Sequence, residues 1–354
     1  MVKKMDEAFL DQTVRQMIKK RNNFGAVLCV EQGDDAFSWA GAAGNMEADD
    51  QYFIASVTKL YVTAVALKLR SENLLQLEDC IANYLSKDIV RGIHVLDGVD
   101  YSHDITIKHL ISNTSGIPDY FACKHSDGKT VASQLFQGND EEWPLEKTLD
   151  LIKGNKPKFK PGQKGKVNYS DTNYQLLGRI MENVTGLSMT EIFQTFIFDK
   201  LNLSKTYVYE DVNDTKPVPL YYKSNAVHVP LYMSSIAPEG GIVSTAKDTM
   251  TFLKAFFNGY FFPTEQLEEL KQWNRIYFPG QFYYGIGLEK LWVPRILSPS
   301  NPIKEILGFW GQSGAFAFYN PERDVYFTGT VNQSSGFGHS AAFNAMIKII
   351  RACA

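Results

Sequence analysis

Apolar residues recur at helical spacing at Phe9, Leu10, Val14, Met17 and Ile18, which predicts an amphipathic opening helix. Gly25-Ala26-Val27-Leu28-Cys29-Val30-Glu31-Gln32-Gly33 and Phe37-Ser38-Trp39-Ala40-Gly41 then read as two strands around a Gly33-Asp34-Asp35 turn. Phe53-Ile54-Ala55 and Leu60 to Leu67 are apolar on nearly every side, which marks a buried helix that ends near Ser71-Glu72-Asn73. From about Leu75 to Pro230 strand signals thin out and helical periodicity dominates. Ile107 to Ser112 is one such helix, stopped by Asn113-Thr114-Ser115-Gly116, and Tyr174 to Met181 and Met189 to Leu201 are two more. The stretch from Lys153 to Lys166, rich in lysine, glycine and proline, reads as a solvated loop whose charges face water.

Strand character returns at Tyr284 to Trp292. Ala315 to Tyr319 and Val325 to Val331 form a hairpin signal around Asn320-Pro321-Glu322-Arg323-Asp324, and His339 to Ala352 closes the chain as a helix. The layout predicts an α+β fold: one antiparallel sheet drawn from both chain ends, flanked by helices, with an all-helical insertion. On this division residues 1–75 and 235–354 make the sheet subdomain, residues 76–234 make the helical one, and the cleft lies between them. No internal repeat or low-complexity tract interrupts it.

Composition narrows the picture. With 354 residues, 44% hydrophobic and 21% charged, the chain has the balance of a soluble globular protein with a sizeable core. A net charge of −3 gives no reason to expect nucleic acid or an acidic membrane surface as a partner. Its 23 Phe and 18 Tyr suit large packed interfaces and an apolar cleft. Asp6, Glu7 and Asp11 break up the opening stretch, so it does not read as a signal peptide, and no segment is apolar for long enough to span a bilayer. Cys29, Cys80, Cys123 and Cys353 are scattered, as expected of incidental thiols in a reducing compartment. A cytoplasmic protein is the plain expectation, with export if a leader has been removed. The six histidines show no metal-ligand spacing, and Gly128-Lys129-Thr130 lacks the glycine of a phosphate loop where Cys123 stands, so no cofactor is expected.

Candidate chemistry centres on Ser56-Val57-Thr58-Lys59 at the start of the buried helix. A lysine three residues after a serine shares its helix face, and burial lowers a lysine pKa, which would make Lys59 a proton acceptor for the Ser56 hydroxyl. The same spacing recurs at Ser126-Asp127-Gly128-Lys129, which reads as an exposed loop, and at Ser244-Thr245-Ala246-Lys247, where Ser244 or Thr245 reads as a helix cap. The apolar setting sets Ser56 apart. Downstream, Tyr169-Ser170-Asp171 sits at a loop-to-helix junction, where a nearby cationic lysine would lower the Tyr169 phenol pKa. Gly311-Gln312-Ser313-Gly314-Ala315 precedes a strand, and its small residues would let a substrate backbone approach and an N–H point at an oxyanion.

In this order these elements resemble the serine β-lactamase and penicillin-binding protein family, closest to its class C β-lactamase, DD-peptidase and esterase branch. That family carries Ser-x-x-Lys, then Tyr-x-Asn, then Lys-Thr-Gly or His-x-Gly. Ile111-Ser112-Asn113-Thr114-Ser115-Gly116-Ile117, the run from Tyr169 to Gly178, and Glu239-Gly240-Gly241-Ile242-Val243-Ser244-Thr245 resemble three further family segments. The resemblance implies the β-lactamase/transpeptidase-like version of the fold above. It implies Ser56 as acylated nucleophile, Lys59 as its proton partner and Tyr169 as general base. The N–H groups of Ser56 and Ala315 would form the oxyanion hole, and Asp171, Gln312, Ser313 and Gly314 would meet the substrate.

Two positions depart from the family pattern. Asp171 stands where the family has Asn, which changes a hydrogen bond to Lys59 or substrate and favours a charged Lys59. Gln312 stands where a cation helps hold the carboxylate of penicillins and D-Ala-D-Ala peptides. His339 or Arg351 on the last helix could replace that charge, though each reads as a surface or capping residue. The expectation is a serine hydrolase acting through an acyl-enzyme on esters, amides or D-amino-acid peptides, with a small-molecule or peptide acyl compound as its partner. The alternative is a non-catalytic relative that binds a peptide or protein partner.

Overall fold

The two ends of the chain build one antiparallel sheet of eight strands. The computed structural model describes residues 6–33, 36–125, 127–276, 282–296, 298 and 301–353. Residues 1–5 of the opening stretch, Asp34 and Asp35 of the expected turn, and Ser126 of the second Ser-x-x-Lys lie outside the described residues. The strands are β1 (Gly25–Gln32), β2 (Ser38–Gly44), β3 (Asn274–Arg275), β4 (Phe282–Tyr284), β5 (Glu289–Val293), β6 (Ile303–Trp310), β7 (Ala315–Asn320) and β8 (Val325–Thr330). Their spatial order is β3-β4-β5-β6-β7-β8-β1-β2, so the N-terminal hairpin adds to the last strand of the chain, with Val27 opposite Thr330. The principal helices are α1 (Glu7–Met17), α2 (Thr58–Ser71), α3 (Asp171–Thr185), α4 (Ala246–Phe257) and α5 (Gly336–Ala352).

Both faces of the sheet are covered, and the two-residue strand period sorts side chains between them. Ala26, Leu28 and Val30 of β1 join Phe9, Leu10, Val14 and Met17 of α1 and Met346, Ile349 and Ile350 of α5 in one core. Val27 and Cys29, pointing the other way, join a larger core that holds α2, α4 and the helical insertion. The mixed α+β fold with an inserted helical region is therefore as expected. Among the described residues no helix is long and apolar enough to cross a membrane.

Three elements differ from the pattern-based expectation. The stretch Tyr284 to Trp292 is two strands, because the chain turns out of the sheet between β4 and β5 with Gly287 at φ +61°. The helix expected from Met189 to Leu201 is broken into Met189–Phe193, a π-turn at Gln194–Phe198 and Asp199–Leu201, which keeps Phe193, Ile197 and Phe198 buried. β6 was not visible in the pattern: Lys304-Glu305 and Gly308 interrupt its apolar run, and a side chain at Gly308 would strike the Ala317 carbonyl of β7. The third Ser-x-x-Lys resolves as a cap, with Thr245 Oγ1 accepting from Asp248 N at 3.1 Å.

The turn at Gly287 ties the sheet to the helix that carries Lys59. Its N–H donates to Ile111 O at 3.0 Å, and its carbonyl accepts from Thr63 Oγ1 at 3.2 Å. Thr63 Oγ1 also donates to Lys59 O at 2.8 Å. A Cβ at Gly287 would lie 2.1 Å from Thr63 Oγ1, on a backbone already in the left-handed region. Gly287→Ala should therefore cost about 1–3 kcal/mol in denaturant unfolding. A loss within the scatter of surface substitutions would show that the turn yields freely.

Candidate active site

Ser56 is placed by a short turn, Ala55–Val57, that leads into α2. Ala55 holds φ +46°, an unusual conformation for alanine, so the chain enters the helix through a strained corner. The preceding residues are pinned: Tyr52 and Phe53 pair with Ser244 and Val243, and Ile54 N donates to Ile242 O at 3.0 Å. Ser313 Oγ donates to Phe53 O at 2.6 Å, which ties the turn to the start of β7. Ser56 itself remains partly open to the cleft.

Lys59, one helical turn on, is completely buried. Its Nζ donates to Ser56 Oγ at 2.9 Å and to Glu239 O at 2.8 Å, and forms an ion pair with Asp171 Oδ1 at 2.8 Å. The rings of Tyr169 and Tyr174 each lie 5.2 Å from it. The structure thus brings Ser56, Lys59, Tyr169 and Asp171 together. Lys59 is surrounded by acceptors and faces the carboxylate of Asp171, the residue that departs from the family pattern.

Asp171 and Tyr169 are held by a polar network between the two segments flagged in the sequence. Asn113 Oδ1 accepts from Ser170 N at 3.1 Å and from Asn173 Nδ2 at 2.8 Å. Ser115 Oγ donates to Asn173 Oδ1 at 2.8 Å, and Ser170 and Thr172 hydroxyls both donate to Pro118 O. The start of α3 is therefore stitched to the 113–118 loop, and Asp171 N donates to Asp119 Oδ1 at 3.0 Å.

Sequence reasoning missed three acids around this centre. Asp119 faces the cleft, and burial, followed by the Asp171 charge, pushes its carboxyl up to about 8. Burial first, then Asp171, pushes Glu239 well up. Its Oε1 accepts from Tyr120 OH and, at 3.4 Å, from Gln175 Nε2. Glu289 of β5 is likewise pushed up by burial while accepting from Trp310 N at 2.9 Å. Asp119 and Glu289 carry no motif. Glu239 sat in a recognised segment, but nothing in its spacing marked the side chain.

These acids also reverse the expectation for Tyr169. Burial, and then the charges of Asp171 and Glu289, push its phenol well above the ordinary value, outweighing contact with the Ser56 hydroxyl. The lysine beside it does not produce a phenolate.

Ser56 opens onto a cavity of about 850 Å³. Its walls are mostly apolar, with Phe121, Phe136, Tyr232, Met233, Phe282 and Trp310 among them. Among the described lining residues there is no lysine or arginine. Gln312 and Ser313 reach the cavity, and Gln312 Nε2 is turned to Ser334 O at 2.8 Å. Gly314 and Ala315 lie behind them: Gly314 abuts the Asn332–Gln333 backbone, and Ala315 N is 3.4 Å from Ser313 Oγ, a long contact. His339 also lines the cavity, but burial pushes its pKa down, and its Nε2 is 2.8 Å from Gly311 O. Arg351 bonds Ser298 Oγ at 2.8 Å, away from the cavity. Neither supplies the charge absent at Gln312.

Comparison with known proteins shows the family and the fold. The family model described as Beta-lactamase matches residues 10–348. A putative D-alanyl-D-alanine carboxypeptidase of Escherichia coli O157:H7 is 33% identical over 162 residues, 44% of this chain and 33% of that protein. The match thus spans about a third of that relative's length. The crystal structure of a D-stereospecific amidohydrolase from Streptomyces sp. is 26% identical with a TM-score of 0.77, covering 96% of this chain and 99% of the other. EstCE1, a hydrolase with promiscuous acyltransferase activity, shares the fold with a TM-score of 0.79 at 19% identity, covering 98% of each chain.

The Asp119 carboxyl yields a stability prediction. Its folded value of about 8 lies above the ordinary 3.8, so the folded protein keeps a proton that the unfolded chain sheds. Stability held below pH ~4 is then lost as pH rises toward ~8. Asp119→Asn keeps an oxygen for the Asp171 and Phe121 N–H groups and removes that loss. The variant's advantage in unfolding free energy should grow from near zero at pH 4 to about 1 kcal/mol or more at pH 8, read from denaturant titrations. A pH-independent difference would mean that Asp119 is ionised in the folded protein.

Proposed function

The chain belongs to the Beta-lactamase family, whose serine-hydrolase enzymes act on acyl substrates, and we propose that this member cleaves uncharged esters or amides bearing a bulky apolar group. Ser56 is the nucleophile and is acylated. Lys59 handles its proton, and Tyr169 is a protonated hydrogen-bond partner at Ser56 Oγ and at the departing atom. The N–H groups of Ser56 and Ala315 receive the oxyanion, the latter exchanging its long contact to Ser313 Oγ for a stronger acceptor.

The observation that carries the substrate class is the charge balance of the cavity. Lys59 is neutralised by Asp171, the position of the family's second cation is Gln312, and the walls are apolar. Asp119, Glu239 and Glu289 are held toward their neutral forms. Such a site has no free positive charge for the carboxylate of a penicillin or a D-Ala-D-Ala peptide. A cavity of about 850 Å³ takes a group the size of an aromatic or branched side chain with its leaving group. The likeness to a D-stereospecific amidohydrolase places apolar D-amino-acid amides in the same panel as aryl esters.

Three experiments test this. Turnover of p-nitrophenyl esters of increasing acyl size, apolar D-amino-acid amides, nitrocefin and D-Ala-D-Ala peptides should rank the neutral apolar compounds first. Ser56→Ala should lower ester turnover by at least ~10³-fold and abolish the intact-mass adduct seen with an activated ester. Preference for nitrocefin, or an adduct that survives Ser56→Ala, would overturn the reading. Gln312→Lys adds the missing cation and should raise acylation by carboxylate-bearing substrates by about 10-fold or more, the worth of one charge-assisted hydrogen bond. An unchanged rate would place carboxylate recognition elsewhere.

A further inference from the structure

We propose that Asp171 is the proton acceptor for acylation, reached through Lys59, so that Ser56, Lys59 and Asp171 work as one relay. This rests on the reading of Ser56 as the nucleophile.

The inference follows from asking where the Ser56 proton can go. Tyr169 is held as a neutral phenol by burial and then by the Asp171 charge, so it has no vacancy for a proton. Lys59 Nζ already donates to Ser56 Oγ and Glu239 O, so as an ammonium it has none either. Around that nitrogen stand a hydroxyl, a peptide carbonyl and a carboxylate. Of these acceptors only the carboxylate of Asp171 can take up a proton at ordinary pH. Its Oδ1 is 2.8 Å from Nζ as an ion pair and accepts no aligned hydrogen bond among the described residues, so it has room for a proton. Asp119, whose Oδ1 accepts from Asp171 N, is held protonated by burial and by the Asp171 charge.

In this enclosed setting an ion pair and its neutral counterpart, amine plus carboxylic acid, are closer in free energy than in water, because neither separated charge is solvated. A proton moves from Lys59 Nζ to Asp171 Oδ1. Rotation about the Cε–Nζ bond then turns the amine lone pair from Asp171 to Ser56 Oγ, where it takes the Ser56 proton while Oγ forms its bond to the substrate carbonyl carbon. The carbonyl electron pair becomes the oxyanion. One proton leaves Ser56, one passes through Lys59 and one arrives on Asp171. When the oxyanion collapses and the bond to the leaving group breaks, that group takes a proton from Lys59, which recovers one from Asp171. Water then repeats the sequence in deacylation. Asparagine at this position could accept the Lys59 hydrogen bond but could not take its proton.

The test separates relay from positioning. Asp171→Asn leaves Lys59 unpaired and should unfold at lower denaturant concentration; assayed where circular dichroism shows it folded, it should keep KM for a p-nitrophenyl ester within about threefold, while the acylation rate falls by ~10²–10⁴, the range of acid–base catalysis. Formate should restore part of the rate to Asp171→Ala, and formamide, of the same shape without a proton-accepting charge, should not. An acylation rate within threefold of wild type in Asp171→Asn, or equal rescue by formamide, overturns the relay. The underlying reading fails separately: it is lost if the wild-type protein forms no ester adduct or if Ser56→Ala retains turnover, whatever the Asp171 variants do.

Discussion

An ammonium with no exposure to water has to be satisfied by the protein, and the satisfaction of Lys59 joins every part of this fold. Its partners come from the turn before its own helix, from the first residue of α3 in the helical insertion, and from the peptide at Glu239 that leads back toward the sheet. Withdrawing one charge from such a buried pair leaves the other uncompensated, typically a cost of about 3–5 kcal/mol. The pair is weak evidence for stability, because well-packed apolar residues could fill the same space at no greater cost. It is better understood as the reason α2 and α3 meet at one register, with Ser56 Oγ at the mouth of the cavity.

The acids around that pair follow from the same constraint. One buried cation balances one carboxylate, and Asp171 has the direct contact. Asp119, Glu239 and Glu289 have no second cation to face, so burial holds their protons on. Tyr169 obeys the same arithmetic: one ammonium attracts a phenolate, but burial and the Asp171 carboxylate oppose it. The centre is therefore rich in ionisable groups yet carries little net charge, and an apolar cavity can open directly onto it without being flooded by counter-ions.

Much of this was legible in the chain. The alternation of Ala26, Leu28 and Val30 against Val27 and Cys29 is a local signal, and so is the hairpin about Asn320-Pro321, because each depends only on neighbours in sequence. The all-round apolar character of Leu60 to Leu67 correctly signalled that Lys59 is buried. That Asp171 would bear on Lys59 was legible from its place in the motif; the contacts that deliver it, Asn113–Ser170 and Pro118–Thr172, were not, since they join distant segments and have no local trace. The Tyr169 shift had the wrong sign because burial dominates it, followed by the Asp171 charge, whereas only the lysine was readable from the motif order. β6 was hidden because Gly308, needed for close approach to β7, interrupts the pattern that would reveal the strand.

The two departures from the family pattern, Asp171 and Gln312, act in the same direction. A site with asparagine and lysine in those places would hold two cations and no balancing carboxylate, a field suited to an anionic substrate. Here the first change neutralises Lys59 from within, and the second removes the other cation while its amide is satisfied by Ser334 O. Either change alone would leave one uncompensated positive charge facing apolar walls, which is costly to maintain without a carboxylate ligand. Together they bring the centre to neutrality, matching the walls of Phe121, Phe136, Met233 and Phe282 that enclose it. The polar and apolar halves of the site are thus consistent with the proposed class of substrate, and the Lys59–Asp171 pair links that proposal to the one made for Ser56.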